Sequence, residues 1–251
     1  MKLRPILHIL LCLASVSAAA PASATIDRGE AERLFQTGNV YYGEGRFDEA
    51  RAAYKQALAY GHSAALHFNL GNTYFQEGDA GRAILHYMRA QALRPGDPDV
   101  AANLRFVREA AGVDPPPARP LAAFAASLPQ SAWTVLALGG IWTAAFALLV
   151  FPRLARAGIL SRLTGGLALA AALTALLALA ADRAHKGFGV VLVPEANLRV
   201  APTSGSPSEA TARAGEAAAV RESGERFHNV RFPDGRSGFL THEEFEPIHP
   251  R

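Results

Sequence analysis

Cysteine is nearly absent from this chain: the 251 residues hold one, Cys12. It lies in an N-terminal segment that reads as a removable signal, so the mature chain is expected to have none, which excludes disulfides and thiolate chemistry. Leu11 precedes it where a lipoprotein signal needs a small residue, so Cys12 reads as an ordinary apolar residue. The eight histidines show no metal-ligand spacing: His62 and His67 are five apart, His242 and His249 seven apart, and no cysteine assists them. Ser127, Ser131 and Ser161 have no partnered histidine and acid. Gly139-Gly140 and Gly165-Gly166 lack the downstream Lys-Ser or Lys-Thr of a phosphate loop, and read instead as sites of close helix packing. A basic surplus is missing too. Residues 25–120 hold eleven basic and twelve acidic side chains, and residues 182–251 nine and ten, so the net charge of +3 carries no argument for nucleic acid. No enzyme, catalytic residue, metal site or cofactor is expected.

The positive excess sits at Lys2 and Arg4 and at Arg153, Arg156 and Arg162. The first pair, followed by apolar Ile6–Val16 and by Ala22-Ser23-Ala24, gives residues 1–24 the three parts of a secretory signal cleaved before Thr25. An uncleaved anchor helix is the alternative. The arginines lie between two runs without any charge, Ala132–Phe151 and Leu163–Ala181. At 1.5 Å per residue, each run crosses a hydrocarbon core about 30 Å thick. The expectation is a transmembrane hairpin, with helices at 132–151 and 163–181 and a basic link at 152–162 on the cytoplasmic face. The other reading is a buried helical hairpin of a soluble protein. Trp133 is expected at the membrane interface and Trp142 against the opposite helix. Residues 113–131, with four prolines between Val113 and Pro120, form a stiff linker and then a short apolar segment along the membrane surface.

Residues 25–112 contain an internal repeat. Gly38, Tyr41, Gly45, Ala50, Tyr54 and Ala57 recur 33 residues later as Gly71, Tyr74, Gly78, Ala83, Tyr87 and Ala90. Asn69-Leu70 recurs as Asn103-Leu104, where Arg105 and Arg108 replace the Gly and Tyr that would receive a further helix, so the helix beginning at Pro98 caps the array. This pattern resembles the tetratricopeptide repeat, two antiparallel helices per unit, here about two and a half units. The resemblance implies a concave groove lined by Phe35, Asn39, Tyr42, Phe68, Asn72 and Phe75, with the asparagines holding the backbone of an extended peptide. A carboxylate-clamping version would need lysine or arginine where this chain has Phe35, Asp99 and Asn103.

After Ala184 the pattern changes to alternation with frequent turns. Strands are expected at 189–193, 197–200, 215–221, 227–232 and 238–240, with Pro202–Ser208 a polar loop, Asp234-Gly235 a hairpin turn and a last short piece ending at Ile248. Asn197-Leu198-Arg199-Val200-Ala201-Pro202, Phe227-x-x-Val230 and Asp234-Gly235-Arg236-Ser237-Gly238-Phe239 resemble a bacterial SH3-like domain over residues 187–250, a small closed all-β barrel, with phenylalanine in place of both usual tryptophans.

The whole is expected to be a multidomain membrane protein: an all-α repeat array, a two-helix transmembrane hairpin and an SH3-like barrel. In that order, with Asp97-Pro98-Asp99-Val100-x-x-Asn103-Leu104 opening the cap helix, the chain resembles the BatE-like proteins of bacterial aerotolerance operons. The resemblance implies a non-enzymatic scaffold or assembly factor of the bacterial inner membrane, with both soluble domains in the periplasm. Its implied partners are envelope membrane proteins, including von Willebrand A domain proteins of the same operon, in oxidative-stress tolerance or envelope integrity. The alternative is a cell-wall module that binds peptidoglycan through its SH3-like domain.

Overall fold

The computed structural model describes residues 28–116, 120–125, 128, 130–150 and 158–249. The expected signal and most of the basic link lie outside them. Five helices come first: α1 (Arg28–Gly43), α2 (Phe47–Leu58), α3 (Ala64–Gln76), α4 (Ala80–Leu93) and α5 (Pro98–Ala111). The starts of α3, α4 and α5 follow from capping chemistry. Ser63 accepts from the Leu66 amide, Asp79 from the Arg82 amide, and Asp97 from the amides of Asp99 and Val100 with Pro98 as first helical residue. Gly45 and Gly78 turn the chain between paired helices with φ of 74° and 80°, a left-handed conformation that disfavours other residues. The helices pack where the repeat demands. A Cβ on Gly71 would stand 2.9 Å from the Tyr87 ring, and Gly38 meets Tyr54 in the same way. Ala50 and Ala83 are fully buried beneath these crossings, beside Leu70, Ile84 and Leu104.

A short helix, α6 (Pro120–Ala125), leads to the hairpin and packs against its second arm. The first arm is α7 (Gln130–Ala145), prolonged by a π-helical turn at Phe146–Val150; the second is α8 (Gly158–Lys186). Ser131–Leu149 and Arg162–Ala181 are long and apolar enough to span a bilayer, with mean hydropathies of 1.8 and 2.1. Among the described residues of the two arms, the buried ones form a narrow seam of Trp133, Ala137, Ala144, Ala147, Gly165, Ala172, Ala175 and Ala178. Val135, Leu138, Leu163, Leu167 and Leu177 face outward, as lipid-facing residues must and as the core of a soluble protein would not. Of the glycine pairs, Gly140 lies under Ala168 and Ala172, and Gly165 under Leu148, whereas Gly139 and Gly166 are open. Trp142 departs from expectation. It is 68% exposed, on the outward face of the first arm and away from the alanine seam. Trp133 is the one enclosed, donating its indole N–H to the Ala125 carbonyl at 2.8 Å.

The C-terminal domain differs most from expectation. It has seven strands rather than five: β1 (Phe188–Val191), β2 (Glu195–Arg199), β3 (Ser208–Arg213), β4 (Ala217–Ser223), β5 (Phe227–Arg231), β6 (Ser237–Thr241) and β7 (Phe245–Pro247). They form one sheet in the order β3-β2-β6-β5-β4-β1-β7, every pair antiparallel. No pairing joins β3 to β7, so the sheet is open and the expected closed SH3-like barrel is not formed. Part of the reason is β3. Its sequence, Ser-Glu-Ala-Thr-Ala-Arg, has little apolar alternation, yet cross-strand bonding to β2 makes it a strand. Val191, Leu198, Val230, Leu240 and Phe245 pack into one buried apolar cluster of the sheet.

The other reason is the repeat array, which covers the β7 edge. Arg89 of α4, only 8% exposed, donates to the carbonyls of Pro247 and Ile248 at 2.7 and 2.9 Å and to Glu246 at 2.7 Å. An edge capped by a guanidinium needs no further strand. Phe188, Val190, Leu192 and Ile248 join the array's own apolar core. Gly81 lets the Leu192 carbonyl approach so closely that a Cβ would sit 2.7 Å from it. Array and sheet therefore share one core on the same side of the hairpin.

Candidate peptide-binding face

The side chains singled out in the array occupy matching places one repeat apart. Phe35 and Phe68 lean on the rings of Tyr54 and Tyr87, with centroids 5.9 and 5.8 Å apart. Tyr42 meets Phe47 edge-on at 5.4 Å, and Phe75 meets Phe106 at 5.5 Å. All of Phe35, Tyr42, Phe68 and Phe75 are half-buried and pack on the array's core.

Asn39 and Asn72 are bound into the array through their carbonyl oxygens. Asn39 Oδ1 accepts from the Tyr54 hydroxyl and from Asn69 Nδ2, both at 2.8 Å. Asn72 Oδ1 accepts from the Tyr87 hydroxyl at 2.5 Å and from Asn103 Nδ2 at 3.2 Å. Each bonded set ties three helices. Burial holds both phenols above their ordinary range, Tyr54 at about 12, so they remain neutral donors. Asn39 Nδ2 is turned to Gln36 at 3.2 Å. Asn72 Nδ2 and the carbonyl oxygens of Asn69 and Asn103 take no part in these bonds, so a donor and two acceptors remain along the row.

Asn69, Asn103 and Phe106 belong to the same surface but are not among the groove residues that the sequence suggests. A signal existed: Asn69-Leu70 recurs as Asn103-Leu104, and the leucines alone are accounted for by the core. Phe106, 57% exposed, extends the aromatic row onto the cap helix. Among the described residues, no lysine or arginine bonds to the four asparagines, so this row of amides is electrically neutral. Arg108, in the position of Tyr41 and Tyr74, is half-buried, and burial lowers its guanidinium to about 10.

The five N-terminal helices form a repeat region of paired antiparallel helices. Residues 35–98 match the family model of the tetratricopeptide repeat, from within α1 to the first residue of α5. No curated protein matches the chain. The wider resemblance to BatE-like proteins is not sustained: the match is to the generic repeat alone, and the open sheet is not the barrel that architecture requires. Repeats of this class are generally non-catalytic scaffolds. Among the described residues, no group of three or more His, Cys, Asp or Glu could hold a metal ion.

Proposed function

We propose that the protein is a membrane-anchored adaptor that holds an extended, uncharged segment of a partner protein along α1, α3 and α5. The observation that carries this reading is the twice-repeated Asn–Tyr–Asn arrangement flanked by aromatic rings. The asparagine oxygens that bind the tyrosines fix the geometry of the row, and the remaining amide groups offer a peptide backbone both a donor and acceptors. Phe35, Tyr42, Phe68, Phe75 and Phe106 supply apolar contacts for its side chains, and Asn39 and Asn72 set the spacing. In this reading the hairpin crosses the inner membrane, and both soluble domains stand on the periplasmic side, where the partner is another envelope protein. The shared core of array and sheet supports a common side for the two domains. No comparison supports a cell-wall-binding role.

The test is site-specific photo-crosslinking in intact cells. A photoreactive side chain at Ala65 or Ala102, exposed on the row's helices, should give discrete protein adducts, and one at Glu49 on α2 should not. Adducts of equal yield from all three positions would remove the assignment. Reporters fused after Asp114 and after Ile248 should both read periplasmic, and opposite readings would overturn the proposed topology.

A further inference from the structure

Three histidines that sequence spacing leaves unrelated meet behind the groove. His62 Nδ1 lies 2.9 Å from His67 Nε2, and His67 Nδ1 lies 2.9 Å from His86 Nδ1, so the rings form one hydrogen-bonded chain. The chain runs from solvent inward: His62 is exposed, whereas His67 and His86 are 1% and 5% exposed. The rings of His62 and His67 stack, and Tyr74 stacks on His86 at 5.3 Å. His86 lies one helical turn before Arg89, the residue that clasps the sheet.

The charged surroundings are one-sided. Lys55 of α2 and Arg82 and Arg89 of α4 face the buried imidazoles, with Tyr74 of α3 as the neutral neighbour. The carboxylates nearby are already engaged: Asp79 at the start of α4 pairs with Arg82 at 2.5 Å, and Glu246 of β7 pairs with Arg89 at 2.7 Å and also faces Arg82. A proton added to the chain therefore meets repulsion without a counter-charge. Burial first, and then Arg89 and His62, push His67 down to about 3; burial, His67 and Arg89 act on His86 in the same direction.

We propose that the His62–His67–His86 chain is an acid-responsive latch: protonation drives Arg89 from its clasp and releases the C-terminal sheet from the array. Water reaches His62 directly, and the hydrogen bonds carry the added charge toward His86. Two structures could relieve the repulsion, the clasp or the array itself. The array's own crossings bury Ala50, Tyr54, Leu70, Ala83, Ile84 and Tyr87 among many others. The sheet adds only Phe188, Val190, Leu192 and Ile248 to that core beside a single guanidinium on three acceptors, so the docking of the sheet yields before the array. Each imidazole that gains its ordinary basicity on release weakens docking by up to about tenfold per pH unit below pH 6.5. This inference is independent of the peptide-binding reading.

The experiment uses the full chain in lipid nanodiscs with Cys12→Ser, Gln91→Cys and Glu243→Cys, labelled for energy transfer between α4 and the turn before β7. Lowering the pH from 7.5 to 4.5 should reduce transfer reversibly while the helical circular dichroism is retained. His67→Gln with His86→Phe, which keeps a polar link and the ring stack, should abolish that change. If this pair fails to fold, His62→Ala decides alone, and its transition should move to lower pH. Constant transfer down to pH 4.5 would overturn the latch. So would a transition unmoved by the histidine substitutions, or one that coincides with loss of helical signal.

Discussion

Asn39 and Asn72 place structure and recognition on the same side chains. Removing the Asn39 amide leaves the Tyr54 hydroxyl, on a ring only 1% exposed, without its acceptor. An unsatisfied buried group costs about 1–3 kcal/mol, so Asn39→Ala should lower the melting temperature of the full chain measurably. In a Tyr54→Phe background the same change should cost clearly less, because only Asn69 Nδ2 then loses an acceptor and no buried hydroxyl does. Equal losses in both backgrounds would show that the bond contributes nothing. Glu244 makes a second residue-scale prediction. Burial raises its carboxyl, but Arg199, at 2.7 and 3.0 Å, and the amide and hydroxyl of Thr241 outweigh burial and hold it below its ordinary value. A depressed folded value means stability that is full above about pH 4.5 and is lost as pH falls through the folded value. Glu244→Gln should therefore lower the melting temperature at pH 7, and the gap from the native chain should close below pH 4.

At the scale of elements, the hairpin depends on how closely two helices approach. Gly140 admits the Ala168 carbonyl, and a Cβ there would stand 2.7 Å from that oxygen. Gly140→Leu should separate α7 from α8, seen as faster cleavage or lost crosslinking between the arms, while Gly139→Leu, in open space, should leave the packing intact. The second arm has a further property. At 29 residues α8 is about 44 Å long, more than a bilayer core requires, and only Gly187 separates it from β1. The sheet is thus joined to the membrane by a helix rather than by a slack linker, and its distance from the bilayer is set by helical rise.

For the molecule as a whole, the decisive contact is between array and sheet. Arg89→Ala leaves two carbonyls and Glu246 without their cation, a loss expected to exceed that of an exposed pair because the guanidinium is buried. Array and sheet should then melt in two transitions rather than one, and protease should gain access around residues 113–116. A single unchanged transition would show that the apolar part of the interface suffices. Arg89→Lys should rescue only in part, since one ammonium cannot reproduce the spread of the three bonds.

The repeat array and the hairpin were legible in the chain because each rests on local periodicity: matched Gly, Ala and Tyr positions 33 residues apart, and apolar runs of spanning length. Side-chain size alone dictates that Gly38 lies under Tyr54 and Gly71 under Tyr87. What required the tertiary structure was every feature made by residues far apart in sequence. Strand β3 exists through its bonds to β2 despite its weak pattern, and the sheet stays open because Arg89, 158 residues before Pro247, covers its far edge. The same limit applied to the asparagines, whose carbonyl oxygens are directed inward by tyrosines 15 residues away, and to three histidines whose spacing gave no hint of a shared chain. Local sequence determines which helices and turns can form; long-range packing decides which polar groups meet, because each hydrogen bond needs both partners in place.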